Sequence, residues 1–321
     1  MTTLEFSLPV QALIPRVEEC MRSQANGYRP ELRIALDQLI KAGGKRIRPT
    51  VTLLTSALLG VDQERAITLG AAVELLHTAT LVHDDLIDGA LTRRGNPTVN
   101  AQWDSSATIL AGDFLFSQAA YLAAEVGSID VMRMFAKTLS TIVNGEISQA
   151  FSLNTFTQVD DYYERIYAKT ASMFELAARA PAYIVGAEEE ISAALLTYGY
   201  EIGMAFQIVD DILDFSSDSA TIGKPVTNDL SNGLLTLPIF LYAKENESDS
   251  LVLKAIEGEQ LSEDEIQNLI ANVRNSNAIA ESLEQANEHQ ENARKAIKDF
   301  PEQTEKEALL GLADYVSARL L

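Results

Sequence analysis

The chain has 321 residues, of which 47% are hydrophobic and 22% are charged, so it has enough apolar residues for a large core and is not a disordered chain. Its net charge of −21 opposes binding to nucleic acid or to anionic lipid. A single cysteine, Cys20, excludes an internal disulfide and a thiolate metal cluster. Because neither a secretory signal nor an uninterrupted apolar run of membrane-spanning length is visible, we expect a soluble cytoplasmic protein without a transmembrane segment.

Long stretches of apolar residues at helical spacing predict an all-α protein of ten or more helices. In chain order these stretches are Leu53–Leu59, Ile67–Ile87, Ile109–Val126, Met132–Ile147 and Ile191–Phe215. Helix starts are indicated at Ser105-Ser106 and at Asp160-Asp161, and loops at 42–44, 89–97 and 216–233. No linker divides these elements, so we expect one domain over residues 1–321.

The pattern DDxxD occurs twice, each time at the end of an apolar helix. The two copies are Asp84-Asp85-Leu86-Ile87-Asp88 and Asp210-Asp211-Ile212-Leu213-Asp214. On a helix the first and last aspartates share a face, whereas the middle one is rotated about 100° away. Repelling carboxylates at a helix C-terminus are unfavourable unless a divalent cation joins them. One copy alone would indicate a solvated helix end, but two copies favour a site for Mg²⁺, with Mn²⁺ as the alternative ion.

Several basic residues near these motifs are candidates for completing a phosphate site, because Mg²⁺ held by carboxylates commonly takes further oxygens from phosphates. Arg93 and Arg94 follow the first motif directly, and a histidine, His77, precedes it by seven residues on the same helix face. For each basic residue alone a surface charge is the simpler explanation, and for the histidine a core position. The other candidates are Lys45, Arg46, Arg48, Lys169 and Lys224.

Taken together, these motifs resemble those of the trans-prenyltransferases, the all-trans polyprenyl diphosphate synthases. The matching segments, in family order and over most of the chain, are 43–49, 74–88, 93–95, 112–113, 145–146, 169–170, 206–211 and 223–225. The resemblance implies the isoprenoid synthase fold, which is a single large helical bundle with a central cavity. It also implies a homodimeric enzyme that condenses isopentenyl diphosphate with an allylic diphosphate, such as farnesyl or geranylgeranyl diphosphate, in a reaction that depends on Mg²⁺.

The resemblance also implies a role for each motif residue. Mg²⁺ would join the allylic diphosphate to Asp84, Asp88 and Asp210, supported by Asp85, Asp211 and Asp214. Isopentenyl diphosphate would be held by Lys45, Arg48, His77 and Arg94, and the allylic diphosphate by Arg93, Lys169 and Lys224. Thr170 and Gln207 would offer oxygens to the allylic cation. The expected catalytic residues are thus Lys169, Thr170, Gln207, Asp84 and Asp210.

One position departs from the family pattern. Many members carry Gly-Lys before a Thr-Leu-Pro element, but here Gly233 is followed by Leu234, and Thr236-Leu237-Pro238 comes after. Variants without that lysine resemble the plastid and cyanobacterial long-chain enzymes of the solanesyl and octaprenyl type. This similarity favours a synthase of quinone side chains.

Product length in this family is implied by the residues one turn before the first motif, where aromatic side chains restrict products to short chains. Here those positions hold Ala79 and Thr80, and the facing helix offers Ala119, Ala120, Ala123 and Ala124. Alanines alone would equally indicate close helix packing. With a metal site above them we predict a tunnel, closed further down by Phe116 or Phe135 and lined by Leu76, Ala79, Thr80, Ala123 and Phe135.

Such a tunnel predicts an octaprenyl to decaprenyl product, with solanesyl favoured, and geranylgeranyl diphosphate as the shorter alternative. A product of this length allows a peripheral membrane contact at release. An inactive subunit of a prenyltransferase pair is a second alternative, but such subunits tend to lose acid-motif residues, and all six aspartates are present. A helical scaffold would not need these basic residues. A class I terpene cyclase usually replaces the second DDxxD by a pattern of Asn, Ser or Thr, and Glu.

Overall fold

The protein is almost entirely helical. The structure, a computed structural model, describes residues 5–151, 158–216, 230 and 233–319. These residues form fifteen α-helices, one 3₁₀-helix, one π-helix and two very short strands. The prediction of an all-α fold is confirmed.

The first part of the chain contains seven α-helices after an opening 3₁₀-helix, Glu5–Leu13. They are α1 (Ile14–Ser23), α2 (Pro30–Lys41), α3 (Ile47–Leu58), α4 (Gln63–Ile87), α5 (Val99–Gln102), α6 (Ser105–Glu125) and α7 (Ile129–Phe151). Between α4 and α5 lie the antiparallel strands β1 (Thr92–Arg93) and β2 (Asn96–Pro97).

The second part of the described chain contains eight α-helices and a π-helix, Tyr167–Ala171, which directly follows the first of them. The helices are α8 (Val159–Ile166), α9 (Ser172–Val185), α10 (Glu189–Ser216), α11 (Leu237–Glu245), α12 (Ser250–Ile256), α13 (Glu263–Arg274), α14 (Ala278–Ala296) and α15 (Thr304–Ala318). Most of the predicted loop over 216–233 lies outside the described residues.

The two predicted helix starts lie within one residue of the observed ones. Helix α6 begins at Ser105, and the residue that caps it is Asp104, whose carboxylate accepts a hydrogen bond from the Ala107 amide at 2.9 Å. Helix α8 begins at Val159, one residue before the predicted Asp160, because Gln158 and Asp161 cap each other's backbone amides. Both starts follow the usual preference for side-chain acceptors at a helix N-terminus.

The described residues divide into two compact units. The first comprises Met1–Leu139, Met173–Leu196 and Asp299–Gly311, and the second comprises Ser140–Ser172, Thr197–Lys298 and Leu312–Leu321. Helices α7, α10 and α15 contribute to both units. The expectation of a single domain over 1–321 remains a prediction.

Helix α4 forms the centre of the first unit and packs against α1, α3 and α6. By length and composition α4 and α6 are apolar enough to cross a membrane, although polar and charged residues interrupt the apolar sequence of each helix. In α4 72% of the most apolar stretch is buried, as in the core helix of a water-soluble protein, whereas in α6 only 39% is buried. Helix α4 is therefore a core helix, whereas α6 has an exposed apolar surface.

The second unit has a core built around the end of α10. Its buried side chains include Ile208, Val209 and Ile212 of α10, together with Tyr162 and Ile166 of α8. A further apolar cluster joins the same unit's later helices α11, α12 and α13. These cores include buried side chains from the last turns of α10, which carry the second DDxxD motif.

Candidate functional site

The first acid motif occupies the C-terminal end of α4, as predicted. Asp84 is half-buried, and Asp88, which caps the helix, is exposed. The middle residue, Asp85, is only 4% exposed; its Oδ1 accepts a hydrogen bond from Arg93 Nε at 2.8 Å and forms an ion pair with Arg93 Nη2 at 2.7 Å. The outer aspartates thus remain accessible for a ligand, while Arg93, predicted to hold the allylic diphosphate, lies against Asp85.

A tight hairpin after the first motif positions its two arginines. Strands β1 and β2 are joined by Arg94 and Gly95, which both have positive φ angles, 52° and 75°. A non-glycine residue in this region costs of order 1 kcal/mol, and such strain is found most often at functional sites. The Arg94 guanidinium donates a hydrogen bond to the carbonyl of Gly43, so the hairpin is tied to the Gly43-Gly44 loop.

Basic side chains from these two loops surround His77 on α4. Lys45 is exposed, and Arg48 is half-buried with its guanidinium 5.0 Å from the centre of the Phe174 ring. The pKa of His77 is held well below its usual value, first by burial and then by the positive charges of Arg48, Arg94, Arg93 and Arg46. His77 is therefore neutral at pH 7, and its surroundings are strongly electropositive. Three predicted binding residues, Arg48, His77 and Arg94, belong to this basic cluster, and Lys45 precedes Arg48 by three residues along the chain.

Arg46, from the same loop, has a structural role instead. Its side chain is 10% exposed and reaches Glu18 at 2.9 Å, Glu74 at 2.8 Å and the Ile40 carbonyl at 2.8 Å. These partners explain the left-handed backbone at Arg46, where φ is 49°. Among the neighbouring cations, Arg46 therefore anchors the loop.

The predicted tunnel residues lie in the first unit. Leu76 and Ala79 are fully buried on α4, Thr80 is nearly so, and Ala119 and Ala123 are fully buried on α6; Phe135 of α7 is 1% exposed. The two helices come very close, since a Cβ on Gly112 of α6 would collide with the His83 ring. The Phe116 ring lies 5.3 Å from that of His83, the residue before the first motif, and its part in closing the tunnel remains a prediction.

The second acid motif ends α10 and has the same pattern of exposure. Asp210 is half-buried and Asp214 exposed, while Asp211 is 3% exposed. Asp211 accepts hydrogen bonds from the Tyr162 hydroxyl at 2.7 Å and the Gln207 amide at 2.8 Å. Burial and the Asp211 carboxylate raise the pKa of Tyr162 well above its usual value, so the phenol stays protonated and donates.

Thr170 and Gln207, both predicted to face an allylic cation, bond to each other. The Thr170 hydroxyl donates to the Gln207 side-chain oxygen at 2.7 Å, and the Gln207 amide continues the chain to Asp211. A carbonyl oxygen has a second lone pair, so Gln207 keeps an acceptor position for a ligand. The hydrogen bonds that link Gln207 to Thr170 and to Asp211 hold the Gln207 side chain in one orientation.

Lys169 lies on the π-helix, an irregularity that is frequent at functional sites. Its ammonium group is 3.4 Å from Glu146, and its side chain is 41% exposed. The preceding residue, Ala168, packs so closely on Gly145 that a Cβ there would lie 2.6 Å from the Ala168 Cβ. The Gly145-Glu146 pair is thus explained by close packing and an ion pair. Lys224, the remaining predicted contact, lies outside the described residues.

Two residues near the second motif were missed by sequence reasoning. Arg319, just after α15, donates to the Asp210 carboxylate, and Tyr162 donates to Asp211. The sequence alone would suggest that Arg319 pairs with the nearby Asp314, but in the structure Asp314 pairs with Arg294. No local pattern links residues 109 positions apart, such as Arg319 and Asp210.

The carboxylates fit a hard divalent cation that is shared with a ligand. Within the described ranges, no three His, Cys, Asp or Glu side chains form a group that could hold a metal ion by themselves. Mg²⁺ does not require such a cage, because it is commonly held by one or two carboxylates together with water and substrate phosphates. Asp84 with Asp88, and Asp210 with Asp214, are oxygen-donor pairs of this kind.

Comparison with known proteins points to one family. The family model described as polyprenyl synthetase matches residues 29–273. An octaprenyl diphosphate synthase of Haemophilus influenzae is 34% identical over 303 residues, covering 93% of this chain and 91% of the relative. The structure of a decaprenyl diphosphate synthase from Rhodobacter capsulatus matches with a TM-score of 0.91 and 32% identity, over 99% of both chains.

A second solved structure bears on the ligands of such a fold. It is a polyprenyl synthase from Caulobacter crescentus, complexed with calcium and isoprenyl diphosphate. Its TM-score is 0.91 at 31% identity, over 99% of this chain and 98% of the other.

Proposed function

The chain belongs to the polyprenyl synthetase family and is a prenyltransferase, and we propose that it is a Mg²⁺-dependent, long-chain all-trans polyprenyl diphosphate synthase. It would add isopentenyl diphosphate repeatedly to an allylic diphosphate such as farnesyl or geranylgeranyl diphosphate. The observation that carries this proposal is the basic cluster around His77, which lies on the same helix as the accessible aspartates Asp84 and Asp88.

The acid motifs would hold the allylic diphosphate through divalent cations. We assign Asp84, Asp88 and Asp210 as direct ligands, with Asp214 beside them, and Asp85 and Asp211 as buried supports. When bound, Mg²⁺ would stabilise the negative charge on the leaving diphosphate and so favour breaking of the carbon–oxygen bond. The calcium of the Caulobacter crescentus complex supports a divalent ion in this family, and the oxygen-only donors favour Mg²⁺ or Mn²⁺.

The basic residues would divide between the two substrates. Arg48 and Arg94 offer forked guanidinium donors for the diphosphate of isopentenyl diphosphate, and Lys45 adds a mobile charge. His77, being neutral, would donate one N–H without adding to the crowded positive charge. Lys169 and Lys224 would hold the allylic diphosphate, with Arg93 adding charge from its place beside Asp85.

Oxygen atoms on the second unit would stabilise the allylic cation. Gln207, oriented by Thr170 and Asp211, presents a carbonyl oxygen of fixed direction. Such pre-oriented dipoles stabilise developing charge without the cost of reorganising solvent. The double bond of isopentenyl diphosphate would attack the allylic cation, and loss of a proton from the resulting carbocation to the departing diphosphate would complete one cycle.

We infer a long product from the small residues before the first motif. Ala79 and Thr80 leave no aromatic side chain one turn below Asp84, and the neighbouring Ala119 and Ala123 on α6 are also small. The octaprenyl and decaprenyl synthases among the relatives support the same conclusion. A product of this size suits a quinone side chain.

The same reasoning extends to assembly and location. Helix α6 is apolar but largely exposed, and Ile109, Leu110 and Tyr121 are among its exposed side chains. A face of this kind is typical of a subunit interface, so we propose a homodimer in which it is covered. We also propose a single domain, a cytoplasmic location, no transmembrane segment, and a peripheral contact with a membrane when the product leaves.

The proposal is tested by incubating the protein with farnesyl diphosphate, labelled isopentenyl diphosphate and Mg²⁺, then sizing the dephosphorylated products. Octaprenyl to decaprenyl products are expected, and none should form in EDTA. Products that end at geranylgeranyl would favour the shorter-chain alternative. No condensation at all would leave the non-catalytic subunit as the better explanation.

The tunnel direction is tested separately with Ala79→Tyr, which places an aromatic ring one turn below Asp84. Shorter products are expected. Ala66→Tyr, near the other end of α4, is the matched control because it adds the same volume at a buried alanine. It should not shorten the product. Equal products from wild type and Ala79→Tyr would refute the tunnel.

A further inference from the structure

Arg319 contacts the second acid motif but has no role in the proposed function. Its guanidinium donates a hydrogen bond to the Asp210 carboxylate and lies 4.4 Å from the centre of the Phe206 ring. Phe206 and Asp210 are one turn apart on α10, so the arginine covers that turn. Its side chain is 11% exposed, which makes this a largely desolvated contact.

The guanidinium is only partly satisfied there. Its Nε and Nη1 atoms are buried and have no hydrogen-bond partner among the described residues. A guanidinium carries five N–H donors, and each buried donor left without an acceptor costs free energy. In this position the attraction of the guanidinium to the Asp210 carboxylate and to the Phe206 ring offsets the free-energy cost of its incomplete hydrogen bonding.

A guanidinium and a divalent cation make incompatible demands on one carboxylate. Both bind the same oxygens, and at a separation of a few ångströms their positive charges repel strongly in partly buried surroundings. Asp210 is one of the three aspartates assigned above as direct ligands. Occupation of Asp210 by Arg319 would consequently lower the affinity of the second motif for a cation.

We propose that Arg319 is a positioning residue that competes with the divalent cation for Asp210 and thereby sets the cation affinity of the second motif. This inference rests on the proposed function, because it assumes that Asp210 binds the cation. The arginine neutralises Asp210 until a cation displaces it, and the ring of Phe206 keeps the displaced guanidinium close. The first motif differs, because its arginine, Arg93, is bound to the buried middle aspartate, Asp85, which is assigned as a support and not as a direct ligand.

The competition is tested by Mn²⁺ titration followed by electron paramagnetic resonance. The background carries Asp84→Asn and Asp88→Asn, so that binding reports the second motif. Adding Arg319→Gln should tighten Mn²⁺ binding about five- to tenfold, because the cation no longer has to displace the charge-assisted contact between Arg319 and Asp210. Arg319→Lys, which keeps the charge but loses the fork and the ring contact, should give an intermediate affinity.

The matched control is Arg294→Gln, which removes the same charge from an exposed ion pair with Asp314 in the same unit. It should change Mn²⁺ affinity less than twofold. Unchanged or weaker binding in Arg319→Gln would overturn the competition. A different result would contradict the metal assignment itself. In that case the background protein binds no Mn²⁺, or a further Asp210→Asn leaves its Mn²⁺ binding unchanged.

A second measurement follows the arginine directly in the unaltered protein. In nitrogen NMR spectra of arginine side chains, the Nε signal of Arg319 is identified by its loss in Arg319→Lys. That signal should shift on adding Mg²⁺ to the wild type and remain in place in Asp210→Asn. A signal that does not respond to Mg²⁺ in the wild type would also overturn the proposal.

Discussion

The two acid motifs have the same sequence pattern but different partners. In both, the middle aspartate is buried and the last is exposed. Asp85 is held by a charged partner, Arg93, whereas Asp211 is held by two neutral donors, Tyr162 and Gln207. The difference shows that a buried carboxylate can be stabilised either by an opposite charge or by neutral hydrogen bonds.

The surroundings of the motifs differ in the same way. The first unit adds a cluster of arginines around His77, while the second places Thr170, Gln207 and Tyr162 in one hydrogen-bonded chain. Positive charge suits the diphosphate groups, and fixed neutral oxygens suit a carbocation. We therefore associate the first unit mainly with phosphate binding and the second with stabilisation of the reacting carbon.

The largest expected effect comes from the aspartates assigned as direct ligands of the cation. Asp84→Asn and Asp210→Asn should each lower the condensation rate by at least about 1000-fold while leaving the helical content unchanged, because a direct ligand to the cation is lost. Steady-state assays and circular dichroism provide the measurement. Asp130→Asn and Asp314→Asn, at exposed ion pairs, serve as controls and should keep activity. Full activity in either motif variant would contradict its assignment.

The next largest effect tests the reliance of the first unit on buried charge. Arg46→Ala leaves Glu74 and Glu18 without their guanidinium, and Glu74 is nearly fully buried. Removing one partner of a buried ion pair typically costs about 3 kcal/mol in the free energy of unfolding. Urea denaturation measures this loss. Arg33→Ala, at an exposed residue of α2, is the control, and an equal stability of both variants would refute the anchoring role.

The middle aspartates provide the most direct comparison of the two motifs. Asp85→Asn should lower the free energy of unfolding by about 2 kcal/mol, because Arg93 loses its charged acceptor. Asp211→Asn should cost about 1 kcal/mol, since an amide oxygen still accepts from a neutral donor and the Tyr162 hydroxyl can rotate to accept. Urea denaturation of both variants checks the order. A larger loss in Asp211→Asn would reverse our interpretation.

The smallest effect concerns His77 and pH. Its pKa is lowered in the folded protein, so the unfolded chain binds the proton more readily. The free energy of unfolding should therefore fall as the pH drops below the unfolded value of about 6.5, by at most about 1.4 kcal/mol per pH unit. Between pH 7.5 and 5 the free energy of unfolding should change less with pH in His77→Gln than in the wild type. His83→Gln on the same helix is the control, and an unchanged slope in His77→Gln would contradict the assignment.

Periodicity was sufficient to predict the helices and the different environments of the aspartates within each motif. The rotation between Asp84 and Asp85 follows from helix geometry alone, and the buried Asp85 agrees with it. The loop predicted over 89–97 contains the Arg94-Gly95 turn, but the two short strands within it were not predicted. Contacts between distant segments had no such signal: Arg319 reaches Asp210, and Phe116 lies beside His83, only through tertiary packing.

The proposed function requires Asp84 and Asp210 each to bind a divalent cation. The most direct test is a crystal structure of the protein with Mn²⁺ and farnesyl thiolodiphosphate, a poorly cleaved analogue of the allylic substrate. We predict anomalous peaks for Mn²⁺ beside Asp84 and beside Asp210, each ion with a phosphate of the analogue among its ligands. Mn²⁺ at only one motif, or at neither, would contradict the proposed function.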